Sequence, residues 1–221
     1  MDDILQNLSI CIERGKVNLQ SPYPADMKGQ EGADELTRKA LDAGFKASQI
    51  LNIALMPGMQ KVGDKFAEGK AFIPDLLIAA KAMNAAMEHL KPFFESGEAK
   101  HRGKIIIGTV TGDLHDIGKN IVKMVLKGSG WDVIDLGVDS SAQKFLQALD
   151  ENPGSFVGLS ALLTTTMLRM EDTTKLIKEK YPNTKVFVGG APLSQEFSDK
   201  IGADGFFRDP QTFARHLATL V

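Results

Sequence analysis

The residues of this chain best suited to chemistry lie in the segment GTVTGDLHDIGKNIV, between a predicted buried strand and a predicted amphipathic helix. Asp113 stands two positions before His115, and Asp116 and Gly118 follow shortly after it. A metal-binding imidazole commonly donates its second ring N–H to a carboxylate, which fixes the tautomer and raises the basicity of the ligating nitrogen. The spacing therefore predicts that His115 binds a metal with Asp113 behind it. On spacing alone, the alternative is that Asp113 or Asp116 caps the helix and His115 is an ordinary surface residue.

The other histidines give this site no local partner. His89, His101 and His216 fall in predicted helical or connecting segments away from the loop, so a tetrahedral zinc site is poorly supported. One nitrogen ligand is sufficient if a macrocycle supplies the rest of the coordination sphere. The pattern thus favours a cofactor that brings its own metal.

The second half of the chain must present this loop at the edge of a sheet. Short β-rich runs alternate with amphipathic helical stretches, which predicts an α/β fold with a five-stranded, parallel, doubly wound sheet of order 2-1-3-4-5. The predicted strands are Lys104–Thr109, Asp132–Leu136, Ser155–Leu159, Lys185–Val188 and Gly205–Phe207. In that order a ligand crevice opens between the carboxyl ends of the first and third strands. The loops at 109–118 and 160–166 should therefore form the site.

The first half of the chain has a different pattern. Apolar residues recur at helical spacing up to about Glu95, which predicts a bundle of four or five helices. Pro57-Gly58 and Pro74 are expected at a kink or a helix start. The polar stretch SGEAKHRG then separates the halves, so we expect a helical domain at 1–99 and a sheet domain at 100–221.

Composition excludes several classes of function. The formal net charge is −2 with mixed signs throughout, which argues against a nucleic-acid partner. No apolar run approaches the roughly 20 residues that span a bilayer, and the start MDDILQNLSI does not resemble a signal peptide, so no membrane partner and a cytoplasmic location are expected. Cys11 is the only cysteine and predicts an inert buried thiol.

Three short motifs together carry a family resemblance. Asp113-x-His115-x-x-Gly118, Ser160-x-Leu162 and Gly189-Gly190 resemble the signature of cobalamin-binding domains that hold the cofactor base-off and His-on. The gaps of 41 residues (119–159) and 26 residues (163–188) also resemble the family pattern. The stretch VGDKFAEGKAFIPDLLIAAKAMNAAMEHLKPFFE is similar to the helical cap before this domain in methionine synthase and in stand-alone corrinoid proteins. The resemblance thus covers most of the chain.

The resemblance implies a role for each motif residue. His115 would be the lower axial ligand of cobalt, and Ser160 and Thr164 would bond the displaced dimethylbenzimidazole base. Phe66 and Ile73 would shield the upper face. The positions implied in cofactor contact are Gly112, Asp113, His115, Asp116, Ile117, Gly118, Ser160, Leu162, Thr164, Gly189, Gly190, Phe66 and Ile73.

The resemblance also implies a proton relay. Methionine synthase has a serine six positions beyond the serine of S-x-L, whereas this chain has Thr166 there, so a hydroxyl is kept but its geometry is in question. The cobalt would cycle between Co(I), which prefers no lower ligand, and methyl-Co(III), which accepts one. Proton uptake at His115 and Asp113 would accompany the change.

The function implied is that of a corrinoid methyl carrier in a multi-component methyltransferase system. A substrate-specific methyltransferase would methylate the cobalt, a second methyltransferase would pass the methyl group to tetrahydrofolate or another acceptor, and a reductive activase would restore Co(I). The chain would be a carrier rather than a complete catalyst, because it cannot also hold a barrel of roughly 250 residues.

Three alternatives remain open at this point. A cobalamin-dependent mutase subunit would share the motifs but usually lacks the cap, and a cobalamin-based sensor would normally add a DNA-binding or signalling domain. A flavodoxin-like module without cofactor would bind no corrinoid. The donor is not named by any residue; methanol, methylamines, aryl methyl ethers and quaternary amines are all used in this family. Overall resemblance favours an aryl methyl ether or a quaternary amine, with tetrahydrofolate as acceptor.

Overall fold

The computed structural model describes residues 2–221, which form two compact units. The first unit runs to His101 and includes Lys127–Gly130; the second comprises Arg102–Leu126 and Trp131–Val221. No helix in the described part of the chain is long and apolar enough to cross a membrane.

The first unit is helical, as predicted. Its elements are α1 (Asp2–Arg14), a 3₁₀ turn (Ala25–Met27), α2 (Ala33–Asp42), α3 (Ala47–Gln49), a π-helical stretch (Ile50–Leu55), α4 (Met56–Ala67) and α5 (Ile73–Glu95). Pro74 lies in the first turn of α5 after the extended Phe72, where a missing backbone N–H costs no hydrogen bond. Pro57 instead follows the π-helical stretch within one continuous run of helix from 47 to 67, so it marks a change of helix type rather than a free helix start.

The second unit holds a five-stranded parallel sheet of order β2-β1-β3-β4-β5, which confirms the predicted fold class. The strands are β1 (Lys104–Thr109), β2 (Asp132–Asp135), β3 (Phe156–Ser160), β4 (Val186–Gly189) and β5 (Gly205–Phe206). Each boundary falls within one residue of its predicted position, because apolar β-rich runs bounded by turn residues mark buried strands well. The helices are α6 (Ile117–Gly128), α7 (Ala142–Glu151), α8 (Met167–Lys180), α9 (Gln195–Lys200) and α10 (Pro210–Ala218).

Apolar side chains alternate between the two faces of this sheet. Val157 and Leu159 of β3 pack with Met170 and Ile177 of α8 on one face. The other face carries a separate cluster, in which α6 and α10 cover the sheet with Val125, Leu126, Phe213 and Leu217. Helices on both faces of a parallel sheet are what the right-handed crossovers require.

A buried ion pair fastens α6 to the end of β2. Lys119 Nζ lies 2.7 Å from Asp135 Oδ1, and the Lys119 side chain is only 3% exposed. Lys123 Nζ and the Gly137 N–H also bond this carboxylate, at 2.8 and 2.9 Å. Burial by itself would raise the pKa of Asp135, but these donors outweigh it and lower the pKa to about 2.

The Asp135→Asn substitution should lower the free energy of unfolding by about 3–5 kcal/mol at pH 7, because it leaves Lys119 buried without its carboxylate. The contribution of Asp135 is complete above the ordinary aspartate pKa of about 4 and is lost as the pH falls through about 2. Urea denaturation of the wild type and variant should therefore give curves that converge as the medium is acidified. Asp150→Asn is the control, since the Asp150–Lys180 pair is half exposed and should contribute little. Equal losses in the two variants would contradict this account.

Candidate functional site

The two loops predicted to form the site leave the sheet side by side. β1 and β3 are neighbours, and Thr109 is in register with Ser160, so both strands end at the same level. The Val110 N–H then donates to the Ser160 carbonyl at 3.0 Å. The loop that carries Asp113 and His115 is therefore held against the loop that follows β3.

The carboxylate of Asp113 joins these loops from a fully buried position. Oδ2 accepts from the Leu162 N–H at 2.7 Å and from the Leu163 N–H at 3.3 Å, and Oδ1 accepts from the His115 N–H at 3.0 Å. Burial would raise the pKa of Asp113, but the bonds from Leu162, His115 and Thr166 outweigh it and hold the pKa well below its usual value. Asp113 is thus an anion inside the protein.

His115 is oriented by that anion. Its Nδ1 lies 2.8 Å from Asp113 Oδ1, and the Thr109 hydroxyl donates to the His115 carbonyl at 2.9 Å. Because an ionised carboxylate only accepts, Nδ1 carries the proton, and this tautomer leaves Nε2 as the ring nitrogen that can offer a lone pair. The side chain is 51% exposed, and Nε2 makes no hydrogen bond within the described chain. The arrangement offers one well-oriented nitrogen to a metal.

Thr166 completes a continuous set of hydrogen bonds. Its hydroxyl lies 2.8 Å from Asp113 Oδ2 and also 2.8 Å from the Leu163 carbonyl. The sequence left open whether the Thr166 hydroxyl could reach Asp113, and in the structure it does. His115, Asp113 and Thr166 are linked in that order.

The face of the sheet beneath α6 and α10 is incompletely covered. β3 is the middle strand, yet Phe156, Gly158 and Ser160 on this face are only partly buried, whereas Val157 and Leu159 on the other face are fully buried. A Cβ atom added at Gly118, in the first turn of α6, would meet nothing within 4 Å. The fold therefore covers this face of β3 less completely than the opposite face, and it leaves open space beside Gly118 at the start of α6.

The other motif residues line the same edge of the sheet. The Ser160 hydroxyl is partly buried and the Thr164 hydroxyl exposed, and neither makes a hydrogen bond in the chain from 2 to 221. Gly189 ends β4 in register with Ser160. Gly190 has φ +142° and packs so closely that an added Cβ would lie 1.8 Å from the Ala161 carbonyl oxygen. Gly190 is therefore required by backbone packing, whatever it does for a ligand.

Three further positions implied in cofactor contact make no side-chain hydrogen bond to Asp113 or His115. Gly112 is exposed with φ +81°. Asp116 accepts from the Asn120 side chain at 2.9 Å within α6. Ile117 is 73% exposed.

Further apolar side chains surround the mouth, and sequence reasoning overlooked most of them. Leu162 was singled out for its motif, but its backbone N–H rather than its side chain bonds Asp113. Leu114, Leu163 and Leu168 are also exposed, the first by 72%. The sequence could have indicated these residues, because leucines in polar loops beside the motifs are expected to be exposed. Exposed apolar clusters often mark binding surfaces.

The two residues expected over the upper face of cobalt belong to the helical unit. Phe66 is partly buried near the end of α4. Ile73 opens α5 and is 41% exposed, beside Phe72 at 69%. Their position relative to a cofactor stays a prediction.

Comparison with known proteins identifies relatives along the chain. Residues 103–217 match a family model described as B12 binding domain, and residues 29–91 match a second model with the same description. Trimethylamine corrinoid protein 1 of Methanosarcina acetivorans is 40% identical over 179 residues, which cover 79% of this chain and 82% of that protein. Dimethylamine corrinoid protein 1 of the same organism is 44% identical over 160 residues, covering 71% and 75%.

Two solved structures resemble the chain closely. A cobalamin-binding protein from Desulfitobacterium hafniense superposes with a TM-score of 0.71 at 33% identity, covering 85% of this chain and 90% of that one. The methanol:cobalamin methyltransferase complex MtaBC from Methanosarcina barkeri contains a chain that superposes with a TM-score of 0.81 at 27% identity, covering 100% and 81%.

The two glycines should respond in opposite ways to alanine. Gly190→Ala should cost more than about 3 kcal/mol of stability, because the new Cβ collides with the Ala161 carbonyl. Gly118→Ala should raise stability by about 0.5–1 kcal/mol, because alanine favours the helix and meets open space. Thermal unfolding monitored by circular dichroism distinguishes the two. A strongly destabilised Gly118→Ala protein would show that the space beside α6 is filled by the protein itself.

Proposed function

The chain belongs to the family of corrinoid proteins with B12 binding domains, and from that premise we propose that it carries methyl groups on a bound corrinoid in a methyltransferase system. The observation that carries this proposal is the free Nε2 of His115, backed by a buried, ionised Asp113. Cobalamin, when bound, supplies a cobalt centre that accepts and releases a methyl group.

The residues of the His115 loop would hold that centre. His115 would bind the cobalt through Nε2, and Asp113 would keep the proton on Nδ1 so that Nε2 stays available. Nε2 would be the ring atom that holds either the cobalt or a proton, with the Asp113 carboxylate facing Nδ1 in both cases. Thr166 would keep the second carboxylate oxygen of Asp113 bonded throughout.

We propose that the nucleotide tail of the corrinoid enters a slot between β3 and the helices α6 and α10, on the face where β3 is only partly buried. Phe156 and Gly158 lie on that face, and Ser160 at the end of β3 has a hydroxyl that makes no hydrogen bond within residues 2–221. A flat aromatic base needs an apolar slot with few polar contacts, and these residues supply both. The exposed leucines at the mouth would contact the rim of the corrin ring.

A partner enzyme would supply the donor chemistry. The resemblance to a chain of the MtaBC complex supports a substrate-specific methyltransferase as the docking partner. The names of the relatives mention trimethylamine and dimethylamine, so we propose an N-methyl compound as the donor class, selected by that partner. A second methyltransferase that uses tetrahydrofolate, a reductive activase and a cytoplasmic location stay predictions. These relatives favour a carrier over a mutase subunit or a sensor.

Replacement of His115 by alanine should remove the axial nitrogen without unfolding the protein, because half of the side chain is exposed. After reconstitution with hydroxocobalamin and reduction to Co(II), the wild type should show electron paramagnetic resonance lines split by one nitrogen, and His115→Ala should not. His101→Ala is a control that removes a histidine outside the loop. A colourless wild type, or unchanged splitting in His115→Ala, would contradict the proposed function.

Gly118→Ala gives a second test that does not depend on the histidine. The folded variant should retain less cobalamin after desalting than the wild type, because its methyl group narrows the slot. Cobinamide, which has no nucleotide tail, should bind both proteins equally. Equal loss of cobinamide and cobalamin would argue against a tail in this slot.

A further inference from the structure

The loop between β2 and α7, residues 136–141, supports the His115 loop from the side opposite Thr166. The Thr109 N–H donates to the Gly137 carbonyl at 2.9 Å, and the Ser140 N–H donates to the Thr109 carbonyl at 2.8 Å. The Thr111 hydroxyl also bonds the Ser140 carbonyl, at 3.3 Å. The supporting loop thus continues the sheet beyond the end of β1.

Among the bonds from the loop at 136–141, the two made by Asp139 reach the residues just before His115. The Asp139 Oδ1 accepts from the Gly112 N–H at 2.7 Å, and its own N–H donates to the Asp113 carbonyl at 3.0 Å. The two bonds hold both ends of the Gly112–Asp113 dipeptide. The backbone of Asp113 is therefore fixed by Asp139, while its carboxylate is fixed by the loop after β3.

The backbone of Asp139 is unusual. With φ +47° it is the one non-glycine residue between 2 and 221 that has a clearly left-handed conformation. Glycine adopts this region freely, and aspartate and asparagine tolerate it better than other residues. Conformation alone would favour glycine at this position. The aspartate side chain adds the one interaction that glycine could not make, the hydrogen bond from the Gly112 N–H.

We propose that Asp139 is a positioning residue that fixes the Gly112–Asp113 segment, so that Asp113 presents the Nε2 of His115 to cobalt. The inference rests on the proposed function, because it concerns the ligand atom of that site. It assigns to Asp139 a role in ligation although its side chain bonds the Gly112 N–H and not His115.

Two substitutions separate the hydrogen bond from the backbone. Asp139→Gly keeps the left-handed conformation and removes the acceptor. Asp139→Asn keeps a side-chain oxygen for the Gly112 N–H and tolerates the same conformation. Thr111→Val is the matched control, since it removes a different bond between the same two loops.

The readout is the strength of histidine ligation in the reconstituted holoprotein. Asp139→Gly should weaken binding of His115 to Co(II) by about tenfold, which is typical of one lost hydrogen bond. Histidine binds Co(II) and not Co(I) in this scheme, so a tenfold weakening moves the one-electron Co(II)/Co(I) midpoint by about 59 mV to less negative potential. Asp139→Asn and Thr111→Val should stay close to the wild type.

Each other result has a definite meaning. A wild-type midpoint and undiminished nitrogen splitting in Asp139→Gly would overturn the role of Asp139. Asp139→Asn that is impaired as much as Asp139→Gly, or an equal shift in Thr111→Val, would also overturn it, because loss of the side-chain oxygen that accepts from the Gly112 N–H would then not be the cause. A wild type without nitrogen splitting would instead overturn the proposed function, and the His115→Ala comparison distinguishes that case.

Discussion

The site depends on one buried anion, the carboxylate of Asp113. An ionised carboxylate is costly to bury unless each oxygen is bonded, and here the two oxygens accept from two backbone amides of the loop after β3, from Thr166 and from His115. These donors come from two loops that meet only because β1 and β3 are adjacent. The strand order of the sheet is therefore a condition for the orientation of the histidine.

A second constraint is the unequal covering of the two sheet faces. Between β3 and α8, large aliphatic side chains fill the interior, whereas beneath α6 and α10 the middle strand carries Gly158 and remains partly exposed. A middle strand of a doubly wound sheet is normally buried on both faces. The partial burial of this face costs hydrophobic stabilisation in the free protein, and the nucleotide tail proposed to bind there would restore it.

Much of this could be read from the sequence, for physical reasons. Buried strands are marked in the sequence by β-rich runs and turn residues, so the strand order and the strand limits could be predicted closely. The spacing of Asp113 and His115 could also be recognised, because it is a local property of the sequence. The bond between Asp139 and Gly112 joins positions 27 residues apart through loop conformations that have no periodic pattern. Backbone donors such as the Leu162 N–H cannot be predicted from residue type, because every residue except proline has the same N–H. The reach of Thr166 to Asp113 likewise depends on how the chain turns after β3.

The use of main-chain amides at 162 and 163 has an evolutionary consequence. Every residue except proline supplies the same N–H, so substitution of either leucine leaves the support of the Asp113 carboxylate intact. The exposed side chains there can therefore change without loss of these two hydrogen bonds. Under the proposed function, divergence of the leucines at the mouth would be uncoupled from the binding of cobalt by His115.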